Sequence, residues 1–386
     1  MIKEIHIQNF KSLVDFKTTF EPMTVFVGNN SVGKSTVLQA IQFICGSIKD
    51  DYTVLLGRRG WKVENIKSKF TNSRFLRFEL TFEIKDNYGE VNKYIWNTEM
   101  VAYTSKNEIY LNRESIDVND EVILEYEKGK DAYVAMEDNK SNGELHIGNG
   151  LSFSSSLLKL LNNTKHLDKR LVQFINHALN LMSFELLTPA NMRLSSRGVS
   201  DTIGPTGNNL PSFIKKMDIE QKTAFMNKIQ WLLDDTITEI DTQTKGQPGW
   251  TQIVVKEKYG NSGIQISSKD MSDGMLRLLA FVAISEIRTE SAVFLLDEVE
   301  NGINVHYIEK VIRLFNDICE KNGSQVIFTT HSTLFMDYVS PDSIVFLDRN
   351  ENGETFAKKI FDDEKLRKRL EYLYPGEVLL NMEGNE

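Results

Sequence analysis

Residues 75–82 alternate without a break. Leu76, Phe78, Leu80 and Phe82 share one side, and Phe75, Arg77, Glu79 and Thr81 share the other. That period predicts a strand with one apolar face. The turn signal "NYGE" at 87–90 then leads into "VNKYIWNTEMVAYTS", a hairpin partner. Further short strands are expected through residue 136. A different pattern appears in "MTVFVG", "SAVFLLDE" and "SQVIFTTHS", where apolar residues run unbroken. Such runs suit strands of a parallel sheet covered on both faces. Two segments follow the helical period instead. One is residues 34–44, with Val37, Leu38, Ile41 and Ile44 in phase. The other follows Ser272, with Leu276, Leu279, Ala280, Ala283 and Ile284 in phase. Ser272 is a good N-cap for the second. Residues 156–184 read as an amphipathic helical pair broken at Asn162-Asn163. Residues 364–378 read as an exposed helix stopped at Pro375. No heptad is sustained, which argues against a long coiled coil.

Composition changes this picture little. At 386 residues the chain can form one large domain or two. Lys and Arg total 45 against 54 Asp and Glu, giving a net charge of −9. A contact with nucleic acid would therefore have to be a local basic patch. The most basic run is "GRRGWKVENIKSKF" at 57–70, with Arg58, Arg59, Lys62, Lys67 and Lys69 around Trp61. It reads either as a DNA backbone contact or as a solvated mobile loop. No stretch approaches the roughly 18 apolar residues of a membrane span, and the start carries no signal-peptide pattern. Cys45 and Cys319 are far apart in sequence, and both read as buried thiols of a reducing cytoplasm.

The chemistry lies in the segments at the ends of the apolar runs. Residues 28–35 fit G-x-x-x-x-G-K-[ST], between a strand and a helix. Gly28 and Gly33 let the backbone curl around phosphate, and the helix start offers N–H groups to it. Lys34 is expected to reach the β- and γ-phosphates of a nucleotide, and Ser35 to hold Mg²⁺. Far along the chain, "FLLDE" ends a buried run in two acids. Asp297 is expected to hold the metal through water, and Glu298 to orient or deprotonate an attacking water. Lys34 and Asp297 are more than 250 positions apart, which implies a large insertion between two halves of one nucleotide-binding unit. His331 stands at a strand end from which it can reach a phosphate.

With these motifs in this order, the chain resembles the ABC-type ATPase heads of the RecF, SMC and OLD group. "IKEIHIQNFKSL" is similar to their first strand and turn, and "VGNNSVGKST" to their Walker A. "MSDGMLR" resembles their signature, "LLDEVENGIN" their Walker B and D-loop, and "TTHS" their H-loop. The likeness covers roughly residues 1–45 and 187–345. It implies an α/β P-loop head, with a central, mostly parallel sheet, an antiparallel β-lobe and an inserted helical lobe. It divides the chain into a first half-head at 1–50, an insert at 51–186, a second half-head at 187–350 and an extension at 351–386. It implies ATP and Mg²⁺ as ligands and a homo-oligomer of head-to-tail dimers. Gly28, Asn29, Asn30, Ser31, Gly33, Lys34, Ser35 and Thr36 of one head would hold the nucleotide. Ser272 and Gly274 would reach the γ-phosphate from the partner head, and His331 would sense it. Asn301 and Gly302 would face the opposite subunit. The signature departs from the transporter form, since Asp273 replaces a glycine and no glutamine follows; this favours the RecF-like branch. The family's Q-loop glutamine has no clear match.

"LTPANMRL" and "GPTGNNLPSFI" resemble stretches of small bacterial ATPases of the OLD and Septu kind, many of them anti-phage defence proteins. OLD nucleases carry a Toprim domain after the head, and the stretch after His331 is too short for one. The expectation is therefore an ATPase that regulates a separate nuclease or other effector protein in anti-phage defence, cytoplasmic and without a membrane segment. A nucleotide-dependent scaffold with slow hydrolysis and a RecF-like DNA-repair ATPase are the alternatives.

Overall fold

The structure is a computed structural model, and it describes residues 1–137, 144–147, 151–184, 187–233 and 236–383. Along the chain the strands are β1 (Ile2–Phe10), β2 (Leu13–Thr19), β3 (Met23–Val27), β4 (Phe75–Lys85), β5 (Val91–Tyr103), β6 (Glu108–Val118), β7 (Glu121–Glu127), β8 (Ala132–Ala135), β9 (Glu144–Ile147), β10 (Leu181–Ser183), β11 (Ser196–Arg197), β12 (Ile237–Thr244), β13 (Trp250–Tyr259), β14 (Ser262–Ser267), β15 (Val293–Leu296), β16 (Gln325–Thr329), β17 (Ile344–Arg349) and β18 (Thr355–Lys358). The helices are α1 (Lys34–Gly46), α2 (Tyr52–Arg58), α3 (Val63–Ile66), α4 (Leu158–Leu161), α5 (Lys169–Leu179), α6 (Pro189–Met192), α7 (Leu210–Lys216), α8 (Ile219–Leu232), α9 (Asp273–Ser285), α10 (Ile308–Asn322), α11 (Thr333–Met336), α12 (Glu364–Arg369) and α13 (Pro375–Glu383).

The unbroken apolar runs form one sheet, in the order β10-β15-β16-β3-β17-β18. All its pairings are parallel except β17 with β18. Every residue of β3, β15 and β16 is buried. The reason is that both faces are covered. Phe26, Val293, Leu295 and Ile327 pack into one core with α1 and α5. Val25, Phe294, Leu296 and Phe328 pack into a second core with α8, α9 and α10.

The alternating runs form an antiparallel sheet, β2-β1-β4-β5-β6-β7-β8-β9. As its sequence predicts, β4 buries Leu76, Phe78, Leu80 and Phe82 and turns Arg77 and Glu79 outward. The buried face receives α5, whose Phe174 meets Phe82 edge-on with ring centroids 5.3 Å apart. Gln325, fully buried at the start of β16, ties the two sheets together. Its Oε1 accepts from Ile2 N at 2.9 Å, and its Nε2 donates to Ile2 O at 2.8 Å. Sheet membership therefore does not follow chain order. β1 and β2, before residue 50, lie in the antiparallel sheet, and β10, before residue 186, lies in the parallel one.

Several expectations change. The pair read at 156–184 is helical only over α4 and α5, and its end leaves the helix to become β10. Leu181-Met182-Ser183 gain a parallel ladder with β15, and Phe184 stacks on Phe294 with centroids 6.3 Å apart. Pro375 begins a helix instead of stopping one. At the first helical position its missing N–H costs nothing. Cys45 is buried, but Cys319 is only half-buried. A small antiparallel sheet of β11 to β14 precedes α9, which the sequence reading had not anticipated. The longest helix among the described residues, α10, has 15 residues, so no long coiled coil is present there. None of these helices is long and apolar enough to cross a membrane.

Candidate functional site

β3 ends at Val27, and the chain turns through residues 28–33 into α1. Gly28 has φ +138°, and a Cβ there would run into the carbonyl oxygen of Leu347 on β17. Only glycine fits that approach. Thr355, buried in β18, braces the loop from below. Its Oγ1 donates to Val32 O at 2.7 Å and lies 2.8 Å from Ser12 Oγ. Asn29, Asn30 and Ser31 are exposed at the loop's crest, and Thr36 is half-buried in the first turn of α1.

Lys34 is 5% exposed, and its ammonium folds back on its own loop. Nζ donates to Gly28 O at 2.8 Å and Asn29 O at 2.9 Å, and lies 3.1 Å from His331 Nδ1. Burial holds its pKa below the usual lysine value, against the pull of Glu300, Asp297 and Glu298. Lys34 thus joins its own loop to His331, 297 positions on.

Asp297 follows β15 directly. Its Oδ1 accepts from Ser35 Oγ at 3.1 Å and from Thr329 Oγ1 at 2.5 Å. Burial raises its pKa, and those two hydrogen bonds oppose the rise. Thr329 Oγ1 in turn accepts from Glu298 N at 2.9 Å. Glu298 itself is left-handed, with φ +47°, a strained conformation for a residue with a side chain. Its carboxylate accepts from Asn301 Nδ2 at 2.6 Å and stands 3.9 Å from His331 Nε2. Glu300 Oε1 accepts from His331 N at 2.6 Å. Its other oxygen is buried and has no partner among the described residues. A hydroxyl, a carboxylate and an orphaned carboxylate oxygen are hard donors. They fit Mg²⁺, which takes one or two carboxylates and completes its shell with phosphate and water.

Ser272 and Gly274 lie elsewhere. Ser272 caps α9, its Oγ accepting from Met275 N at 3.2 Å. A Cβ on Gly274 would run into the carbonyl oxygen of Gly302, so the loop after Glu298 lies directly against the start of α9. Arg193, which closes α6, donates from Nη2 to Met271 O at 2.9 Å and to Asp273 Oδ1 at 2.5 Å. Arg277, half-buried on α9, has the carboxylates of Asp273, Glu298 and Glu300 around it. Burial lowers its pKa against them. Ser272, Gly274 and Gly302 line a depression of about 430 Å³. Gly28, Asn29 and His331 line a separate one of about 190 Å³. The structure therefore brings Lys34, Ser35, Asp297, Glu298 and His331 together, and leaves the two signature residues on another surface.

Sequence reasoning missed Thr329, Glu300, Arg193 and Thr355. Thr329 sits inside the quoted "TTHS" and Arg193 inside "LTPANMRL", so both lay within motifs without being singled out. The basic run is only partly helical, taking in the end of α2 and all of α3, and Arg58, Lys62 and Lys69 stay exposed while other charges are engaged. Arg58 pairs with Asp50 at 2.7 Å. The Arg59 guanidinium bonds Gln42 and lies 4.7 Å from the Trp61 ring. Lys67 Nζ donates to Thr71 O at 3.2 Å, and Lys11 Nζ sits 3.6 Å over the same indole.

Comparison with known proteins bears on this arrangement. Residues 23–337 match the family described as "AAA domain, putative AbiEii toxin, Type IV TA system". An OLD nuclease of Thermus scotoductus is 18% identical over an alignment of 379 residues that covers 95% of this chain. The chain spans 65% of that relative's length. An SMC head bound to the C-winged helix domain of ScpA has a similar fold, at TM-score 0.51 and 14% identity, covering 92% of this chain and 96% of that one. The Smc head of Pyrococcus furiosus, with an extended coiled coil and bound to the C-terminal domain of ScpA, aligns at TM-score 0.50 and 11% identity, covering 96% and 99%.

Proposed function

The chain belongs to the family of that AAA domain, as an ABC-type ATPase head of the OLD, SMC and RecF kind, and on that premise we propose that it hydrolyses ATP between two heads to regulate a separate effector. In this reading Lys34 and the N–H groups of residues 28–36 hold the phosphates. Ser35 and Asp297 hold Mg²⁺, which supplies charge neutralisation on the phosphate oxygens when bound. Glu298, fixed by Asn301 and the Thr329 hydroxyl, orients the water, and His331 lies against the γ-phosphate. Ser272 and Gly274 arrive from the partner head. The effector is a nuclease, by analogy with the Thermus relative, and the pair acts in anti-phage defence.

One observation carries the reading. The residues around Lys34 form a connected set in a single head, while the signature residues lie on a different depression of that head. A second, head-to-tail copy would bring the two surfaces together.

The test is steady-state hydrolysis by purified protein with ATP and Mg²⁺, with and without duplex DNA, and with Lys34→Ala as the blank. The expected result is turnover that Lys34→Ala abolishes, with ATP-dependent dimers of Glu298→Gln in sedimentation. Absence of turnover in wild type, or Glu298→Gln remaining monomeric with ATP, overturns it. Stimulation by DNA would favour a DNA-responsive repair ATPase over regulation of a protein effector.

A further inference from the structure

We propose that Arg193 is a catalytic residue acting in trans: it is held by Asp273 in the free head and donates to the γ-phosphate of the partner's ATP when two heads close. The proposal rests on the ATPase reading above.

Asp273 stands where the transporter form of the signature carries glycine. As the first residue of α9 it suits the positive end of the free helix. Yet the same position faces the incoming nucleotide in a closed dimer, and a carboxylate there opposes a phosphate of like charge. The structure answers this charge with Arg193. Both of its side-chain hydrogen bonds run from Nη2, to Met271 O and to Asp273 Oδ1, the residues on either side of Ser272. Among the described residues Nη1 and Nε meet no hydrogen-bond acceptor, so their donors remain for one that a second head brings. A planar guanidinium can then serve a carboxylate and a phosphate together, which a lysine cannot do with fixed geometry. The side chain of Arg193 is 29% exposed and that of Asp273 62%, so the pair opens to the surface that a second head would cover.

In the reaction, the water oxygen bonds to the γ-phosphorus as the bond to the β,γ-bridging oxygen breaks. ADP leaves with that electron pair, and the released proton passes by Glu298 to solvent. Arg193 takes no proton. It stabilises charge on the γ-oxygens, the work of an arginine supplied from outside the nucleotide's own head.

Three variants, each first checked for an unchanged melting temperature and retained ATP binding, and one mixture test this. Arg193→Ala should lower kcat about 100-fold or more with little change in KM. Asp273→Ala should keep or raise kcat, because the arginine is released. Arg193→Ala with Asp273→Ala should stay as slow as Arg193→Ala alone. Equal amounts of Arg193→Ala and Lys34→Ala, each inactive, should regain up to about a quarter of the wild-type rate, since half of the dimers are mixed and each has one whole site. If the double variant recovers wild-type turnover, Arg193 only neutralises Asp273 and the proposal falls. If Asp273→Ala is as slow as Arg193→Ala, the pair is a brace and the proposal falls. A mixture with no recovery also overturns it. Wild-type protein with no turnover would instead remove the ATPase reading beneath it.

Discussion

The half of the head around Lys34 and the half around Ser272 are built to different standards. Around Lys34 the polar groups pair with one another, except for the buried second oxygen of Glu300. The ammonium is enclosed by two loop carbonyls and His331, and Asp297 by two hydroxyls. Around Ser272 the side chains are exposed and held by a single arginine and a glycine contact. One surface is prepared before a ligand arrives, so little ordering remains to be done on binding. The other keeps donors uncommitted, as a surface does when it is completed by association.

That contrast can be broken most directly at Lys34. Lys34→Ala should weaken ATP binding about 100-fold or more, because a buried charge-assisted contact is lost. Titration with a fluorescent ATP analogue reads this, and near-normal affinity would show that the enclosed half is not where binding resides. Glu298→Gln should separate the halves. Binding should persist while kcat falls by roughly 10²–10⁴, since the water loses its base. A fall in affinity of the same size would contradict the role given to Glu298.

Gly274→Ala probes the exposed half alone. Its Cβ would meet the Gly302 carbonyl, an overpacking cost of about 1–3 kcal/mol at that contact. ATP affinity of the single head should stay within about threefold while turnover drops about tenfold or more. An equal loss of both would mean that the two halves are one cooperative unit.

The smallest expected effect on turnover comes from a polar cluster that awaits no ligand and contributes to stability instead. Glu114, on β6, is fully enclosed and accepts from Trp96 Nε1 at 2.8 Å, Ser156 Oγ at 2.6 Å and Leu157 N at 2.7 Å. Burial pushes its pKa up to about 7 against those three donors. An acid whose pKa is raised on folding binds its proton more tightly in the folded state. Its contribution is complete below the unfolded value of about 4.5 and is lost as pH rises to about 7, a change of up to about 3 kcal/mol. Wild type should therefore lose stability over that interval relative to Glu114→Gln, with parallel curves above it. Chemical denaturation across pH 5–8 checks this, and identical slopes in the two proteins would refute it.

Much of the enclosed half was legible because its signals are local. A glycine loop between an apolar run and a helical period identifies itself, and so do two acids ending a buried strand. The exposed half was legible as a motif, but its support was not. Arg193 is one polar residue at the end of a four-residue helix, and only folding brings it to Asp273, 80 positions on. Thr355 likewise acquires meaning only beneath a loop more than 300 positions earlier. The strand β10 has three residues and no period of its own. Its conformation is supplied by β15, so a helical pattern running into it misleads. In the basic run, charge density gave no sign that Arg59 and Lys67 would bond within the fold, while Arg58, Lys62 and Lys69 are exposed as a solvated surface would have them.

The place of β3 has a consequence for how the protein is made. This strand leaves the ribosome long before its sheet neighbours β16 and β17, residues 325–329 and 344–349. Until those strands follow, it is an apolar segment with both edges open, the kind of surface that other chains pair with. Contacts so distant in sequence also slow the final closure. The ability to grip a nucleotide should therefore appear late and all at once, so that holding ATP reports that the fold has been completed.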